Sequence, residues 1–273
     1  MSFKVTGKPI GIFDSGIGGL TVASAISKVL PSEQITYFGD TAHLPYGDKS
    51  SDSIKYYSIR IAQFLQRQHC KIIVIACNTA SSVAYEVVRD FTGKEMPVVN
   101  VIDPVVQSVI DAGHSKKIGV IGTKGTIRSG VYEKKLKQLN PALEVVSLAT
   151  PLLAPMIEEG FFNNKISRSI LNDYLNRPKL KKIDTLILGC THYPLVKEEI
   201  KSIFGNRFRI IDSAQIVGEY IATLLKKKNL LQPNKSLKPK HRFYVSDYTD
   251  TFEKSTQYFF KGKIKLEKME IWK

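Results

Sequence analysis

The sequence predicts an α/β protein made of two pseudo-symmetric, doubly wound halves with mainly parallel sheets. Three observations carry this. Strand-like and helix-like stretches alternate almost without interruption along 273 residues, as they do when helices cover a parallel sheet. Two stretches share one form, Ile72-Ile73-Val74-Ile75-Ala76-Cys77-Asn78-Thr79 and Thr185-Leu186-Ile187-Leu188-Gly189-Cys190-Thr191-His192. Finally, residues 8–16 resemble residues 116–124, and Ser15 precedes Cys77 by 62 residues while Thr123 precedes Cys190 by 67. Two such halves facing each other would put the two thiols on opposite walls of one cleft.

Taken in order, residues 9–13 read as a strand, 18–30 as a helix and 35–38 as a strand that runs into a polar loop, 39–50. Residues 51–68 form a helix, with Ile54, Tyr57, Ile61 and Phe64 or Leu65 on one face and Asp52 or Ser53 near its start. The first cysteine strand follows, and 80–91 is apolar enough for a helix. Strands at 98–102 and 117–121 flank a helix at 104–112. A strand at 145–148 precedes Pro151 and Pro155, and a helix at 166–176 leads to the second cysteine strand. Pro194 suits the first turn of the next helix. The chain closes with a strand at 209–211, a helix at 213–226, a strand at 243–245 and a helix at 252–260.

Hydrophobic content of 43% and charged content of 24% are ordinary for a globular protein. The opening residues 1–8 lack the apolar core of a signal peptide. No apolar run approaches the ~20 residues needed to span a membrane. A cytoplasmic chain with three free thiols is therefore expected. The net charge is +15, and residues 201–273 supply 16 Lys+Arg against 7 Asp+Glu. The densest cluster is Lys226-Lys227-Lys228 with Lys235, Lys238, Lys240 and Arg242. No aromatic residues are interleaved there and no DNA-binding motif is present, so a solvated helix end is expected and no nucleic-acid partner.

In open α/β sheets, ligands bind beyond the carboxyl ends of the strands, where Cys77 and Cys190 stand. Cys70, at a helix-to-strand junction, reads as structural. No metal site is expected, because Cys190 and His192 have one residue between them and no further Cys or His completes a set. The turn Asp14-Ser15-Gly16-Ile17-Gly18-Gly19 is not a dinucleotide fingerprint, since Thr21 occupies the third glycine position. Its N–H groups and the Ser15 hydroxyl are expected to meet a small anion at a helix start. Two thiols are suited to moving a proton. A thiolate near an amide-rich helix start has a lowered pKa and acts as a base, and a thiol opposite acts as an acid. Together they would invert a tetrahedral carbon. Ser15, Asn78, Thr79 and Thr191 could hold carboxylates, and Asp14 and His192 could tune the thiols or a substrate amine.

Four segments in register carry a family resemblance: residues 13–19, Gly39-Asp40-Thr41-Ala42-His43-Leu44-Pro45-Tyr46-Gly47, Ala76-Cys77-Asn78-Thr79-Ala80 and residues 188–195. Together they resemble glutamate racemase over essentially the whole chain, the tail around residues 242–247 included. The resemblance implies a cofactor-independent enzyme that interconverts L- and D-glutamate for peptidoglycan. It places the catalytic pair on Cys77 and Cys190, and substrate contacts on Asp14, Ser15, Tyr46, Gly47, Asn78, Thr79, Thr191 and His192. An auxiliary acid falls on Glu158, with Glu159 as its neighbour. Asp14 and His192 would assist the thiols. The implied domains are 1–97 with 213–273, carrying Cys77, and 98–212, carrying Cys190. A homodimer stays open.

Three other readings stand beside it. An aspartate racemase would share both cysteines. A Cys-His hydrolase would use Cys190 and His192, although residues two apart are not expected to converge on one atom. A non-catalytic module would bind the amino acid without exchanging its α-hydrogen.

Overall fold

The structure, a computed structural model, describes residues 7–234, 238–262 and 264–272. Lys235 of the basic cluster and residues 1–6 of the opening lie outside the described residues.

The chain builds two sheets whose strand pairs are all parallel. The first runs β10-β9-β2-β1-β3-β4, from β1 (Ile10–Asp14), β2 (Ile35–Gly39), β3 (Ile72–Ile75), β4 (Val98–Asn100), β9 (Arg242–Val245) and β10 (Leu266–Lys268). The second runs β6-β5-β7-β8, from β5 (Lys117–Gly122), β6 (Glu144–Ala149), β7 (Thr185–Gly189) and β8 (Arg209–Asp212). The orders β2-β1-β3-β4 and β6-β5-β7-β8 are the same arrangement, so the sequence repeat is a structural one. Strand β4 belongs to the six-stranded sheet, just past the implied boundary at residue 97.

The strands are apolar without alternation because both faces of each sheet are covered. In β1, Ile10 and Ile12 enter one core and Phe13 another, and in β3 Ile72 and Val74 part from Ile73 and Ile75 in the same way. Leu186 and Leu188 of β7 join the core of Ile10 and Ile12, while Ile187 faces a third. That shared core also holds Leu20 and Ile26 of α1 (Leu20–Val29) and Val217 and Ile221 of α10 (Ser213–Lys227). It runs without a break from one half into the other. Helices α2 (Ser51–Arg67) and α3 (Asn78–Thr92) cover the far face of the first sheet. Helices α4 (Ile102–Ala112) and α6 (Val131–Leu139) cover the far face of the second.

Most expected elements are present within a residue or two. Asp52 and Ser53 stand in the first turn of α2, and Ser50 caps it by accepting the N–H of Ser53, because it is the last residue with extended backbone. Two details differ. Helix α3 starts at Asn78, with Cys77 itself as its cap. The helices α5 (Lys124–Arg128), α6 and α7 (Leu153–Glu158) and the strand β10 are additions to the reading. The remaining helices are α8 (Lys165–Leu175), α9 (Lys197–Phe204) and α11 (Asp250–Phe259). Among the described residues no helix is long and apolar enough to cross a membrane. Lys226, Lys227, Lys228, Lys238, Lys240 and Arg242 are exposed, as solvated charges are.

Candidate active site

Strands β1, β3, β5 and β7 are interior strands of their sheets, and all four deliver their carboxyl ends to one small cavity of about 60 Å³. Ser15, Tyr46, Gly47, Cys77, Asn78, Thr79, Glu158, Cys190, Thr191 and His192 all line it. Larger grooves exist on the surface, but neither thiol lines them. Cys70 lies elsewhere, buried in the core under α2 and α3, where burial pushes its thiol up to about 12.

Cys77 stands where β3 hands over to α3. Its Sγ accepts the Ala80 N–H at 3.4 Å and its thiol donates to Ser15 Oγ at 3.6 Å. The expectation of a lowered pKa does not hold here. Burial first, and the charge of Asp14 next, push Cys77 up to about 12, against the pull of the Ala80 amide and Ser15. One helix-start amide cannot offset full desolvation beside a carboxylate. Without substrate, Cys77 is a thiol.

Asp14 lies behind the cavity, fully buried and off its lining. Its Oδ2 accepts the N–H groups of Gly16 and Gly19, each at 3.1 Å. The turn expected to meet a free anion therefore spends these two amides on its own carboxylate. The other oxygen, Oδ1, is buried with no partner. Burial raises the Asp14 pKa from its ordinary 3.8, although His192 and the two amides pull it down.

Across the cavity, Cys190 ends β7. The chain then winds into a 3-10 turn at Tyr193–Val196, and this winding brings His192 back beside Cys190. The two side chains meet each other: His192 Nδ1 lies 3.5 Å from Cys190 Sγ. The second ring nitrogen, Nε2, lies 2.8 Å from Glu158 Oε1. Burial by itself would lower the His192 pKa, but the bonds to Cys190 and Glu158 outweigh it and hold the imidazole well above 6.5. This favours the protonated ring, whose two nitrogens face Cys190 and Glu158. Glu158 makes the contact at the end of α7, while Glu159 is exposed.

The remaining groups are held by neighbours to which the sequence reading gave no place in the site. Tyr132 of α6 donates to Asn78 Oδ1 at 2.7 Å, which fixes the amide and leaves Nδ2 buried without a partner. Thr79 Oγ1 lies 2.8 Å from Thr123 Oγ1 and 3.1 Å from Thr126 Oγ1. Thr21 Oγ1 donates to the Thr191 carbonyl at 2.9 Å. The Tyr46 hydroxyl is turned to Asp40 Oδ2, 2.7 Å away. Thr123 also lines the cavity. The repeat carried its signal, since Thr123 matches Ser15 in the paired segments. Gly47 had to be glycine, because a Cβ there would lie 2.9 Å from Thr123 Cβ.

A cleft with a thiol on each wall, each beside an ionisable partner, is what a two-sided proton transfer at carbon requires. Residues 21–220 match the Asp/Glu/hydantoin racemase family. The chain belongs to that family. Among relatives in it, the glutamate racemase of Geobacter metallireducens is 43% identical over 257 residues, 94% of each chain. The crystal structure of the Francisella tularensis glutamate racemase in complex with D-glutamate superposes with a TM-score of 0.90 at 39% identity, covering 98% of this chain and 99% of that one. An aspartate racemase homologue from Pyrococcus horikoshii covers 80% of this chain at 21% identity, with a TM-score of 0.56. That last likeness is one of fold alone.

Proposed function

We propose that this protein interconverts L-glutamate and D-glutamate by proton transfer at the α-carbon between Cys77 and Cys190. The observation that carries this reading is the single cavity with both thiols on its lining. One sulfur, as thiolate, takes the α-proton from one face. The other, as thiol, gives its proton to the opposite face, and the products are the inverted amino acid and the exchanged pair. His192 holds a proton donor against Cys190, and Glu158 orients that imidazolium. Burial first, and the charge of Asp14 next, keep Cys77 protonated until substrate brings compensating charge. Asn78 Nδ2 is a spare donor for a substrate carboxylate.

The proposed proton transfer runs on side chains alone, with no added cofactor in its scheme. A Schiff-base cofactor requires a lysine, and no lysine lines the cavity. Among the described residues no group of three His, Cys, Asp or Glu side chains is arranged to hold a metal ion. The two lobes, one on each sheet, would part to admit glutamate, since the cavity of about 60 Å³ is narrow for it. The product would supply peptidoglycan synthesis in the cytoplasm.

The decisive experiment is incubation of L-glutamate with the protein in D2O, without cofactor. Loss of optical rotation together with α-deuterium uptake is expected. Binding without exchange would leave only a binding module, and exchange of aspartate in preference to glutamate would transfer the reading to the sister activity. A trapped acyl-enzyme on Cys190 would instead support hydrolysis by the Cys190–His192–Glu158 chain.

A further inference from the structure

His43 is outside the cavity, yet its contacts lead there. Asp40, at the end of β2, is fully buried and collects three side chains. Its Oδ1 accepts the Ser246 hydroxyl and its Oδ2 the Tyr46 hydroxyl, each at 2.7 Å. His43 Nδ1 lies 2.9 and 3.0 Å from the same two oxygens. Tyr46, on the far side of this carboxylate, lines the cavity.

On its other side His43 is held by rings. It stacks on Tyr57 of α2, with centroids 4.1 Å apart and planes at 18°. Trp272 meets it edge-on at 4.5 Å and 86°, and meets Tyr57 at 5.4 Å and 78°. The segment carrying Trp272 follows β10 across the sheet edge. Met269 N–H donates to the Val245 carbonyl at 2.9 Å, and Arg60 of α2 bonds to the Ile271 carbonyl. Among the described residues Trp272 Nε1 is buried without a hydrogen-bond partner, so packing orients the indole.

We propose that Trp272 and His43 are positioning residues that fix the Tyr46–Gly47 turn against bound substrate. The segment 269–272 pins the imidazole, the imidazole pins the Asp40 carboxylate, and the carboxylate pins Tyr46. The proposal deepens the racemase reading and rests on it. The physical reason is local. The loop from 40 to 48 has only a 3-10 turn at Tyr46–Asp48 as regular structure and few backbone hydrogen bonds of its own, so side-chain contacts add much of what holds it. Without the indole, the quarter-exposed His43 side chain is free to leave the carboxylate. The turn then loses a fixed position that substrate and transition state need equally, which raises KM and spares kcat.

Trp272 is the single tryptophan of the chain, so intrinsic emission reports on this segment alone. Wild type, Trp272→Ala, Trp272→Phe and His43→Ala are compared in racemisation of both glutamate enantiomers, in melting temperature and, where the indole remains, in emission on addition of D-glutamate. Trp272→Ala and His43→Ala should each raise KM by about three- to tenfold, the range to which one aromatic pair converts. Their kcat should stay within about twofold, as loss of uniform binding requires. Trp272→Phe should restore most of KM, and D-glutamate should change the emission of the wild type and much less that of His43→Ala. Unchanged KM in both alanine variants overturns the clamp, as does a parallel fall of kcat and melting temperature with KM unmoved. If the wild type itself fails to racemise glutamate, the functional reading falls and the clamp falls with it. An active wild type with indifferent variants overturns the clamp alone.

Discussion

Gly18 lies against His192 so closely that a Cβ on the glycine would stand 2.3 Å from Cε1 of the imidazole. The β1–α1 turn of one half thus abuts the Cys190 turn of the other, and Thr21 ties them further through the Thr191 carbonyl. Gly18→Ala must displace the imidazole from Cys190, from Glu158 or from both. Turnover is expected to fall on the order of a hundredfold, since small misplacements at a reacting centre cost that much. Overpacking should cost about 1–3 kcal/mol of stability. Steady-state kinetics beside a denaturant melt would check this, and normal turnover with only lower stability would count against a role for this contact in alignment.

The two thiols should be separable by stereochemistry. Cys77→Ser and Cys190→Ser should each abolish racemisation in both directions, because every turnover needs one base and one acid, and a serine hydroxyl is a far poorer base. On an amino-acid analogue whose β-leaving group departs after proton removal, one variant should eliminate from the L form alone and the other from the D form alone. The same preference in both variants would end the two-face assignment. Cys70→Ser is the control and should racemise normally, because Cys70 is not on the cavity lining.

Asp14→Asn should lower turnover without lowering stability. The folded pKa of Asp14 is raised above its ordinary 3.8, so the native state binds the proton more tightly than the unfolded chain. The favourable contribution is fully present below about 3.8, and it is lost as pH rises through the elevated folded value. At neutral pH the wild type carries that penalty, and asparagine removes it while its oxygen can still accept the two glycine amides. Melting temperature followed from pH 4 to 8 should therefore be flatter in the variant and equal or higher at neutral pH. A lower melting temperature at pH 7 together with normal kcat would assign Asp14 to the turn and not to the chemistry.

Glu158→Gln tests the other wall. His192 is held above 6.5 partly by Glu158, so its protonated form stabilises the native state. That contribution is complete below 6.5 and disappears as pH rises through the raised folded value. Glutamine keeps the hydrogen bond and removes the charge. The His192 titration, followed by NMR, should move down, and the stability gap to wild type should be largest at acid pH and close at alkaline pH. A gap that stays constant with pH would mean that Glu158 contributes packing alone.

How far the sequence reached can be seen at the same residues. The β-branched runs ending in Cys77 and Cys190, and the repeat that pairs Ser15 with Thr123, announced two related parallel halves with a thiol at the edge of each. Those are local patterns, set by burial on both faces of a strand and by short turns, so the chain carries them in plain order. The strand β10 and the helix α5 escaped because three and five residues give too little periodicity to read.

The chemistry of the site is different in kind. Whether Cys77 has a low or a high pKa depends on a carboxylate 63 positions earlier and on complete desolvation. Whether His192 meets Cys190 depends on the winding of a 3-10 turn, and its charge depends on Glu158, 34 residues away. The amides of Gly16 and Gly19 looked free in sequence and are taken by Asp14. The sequence by itself determined which residues could react and on which strand ends they stand. Only the tertiary structure decided their protonation and their partners, because electrostatic energy depends on distance and on excluded water, and neither is a property of order along the chain.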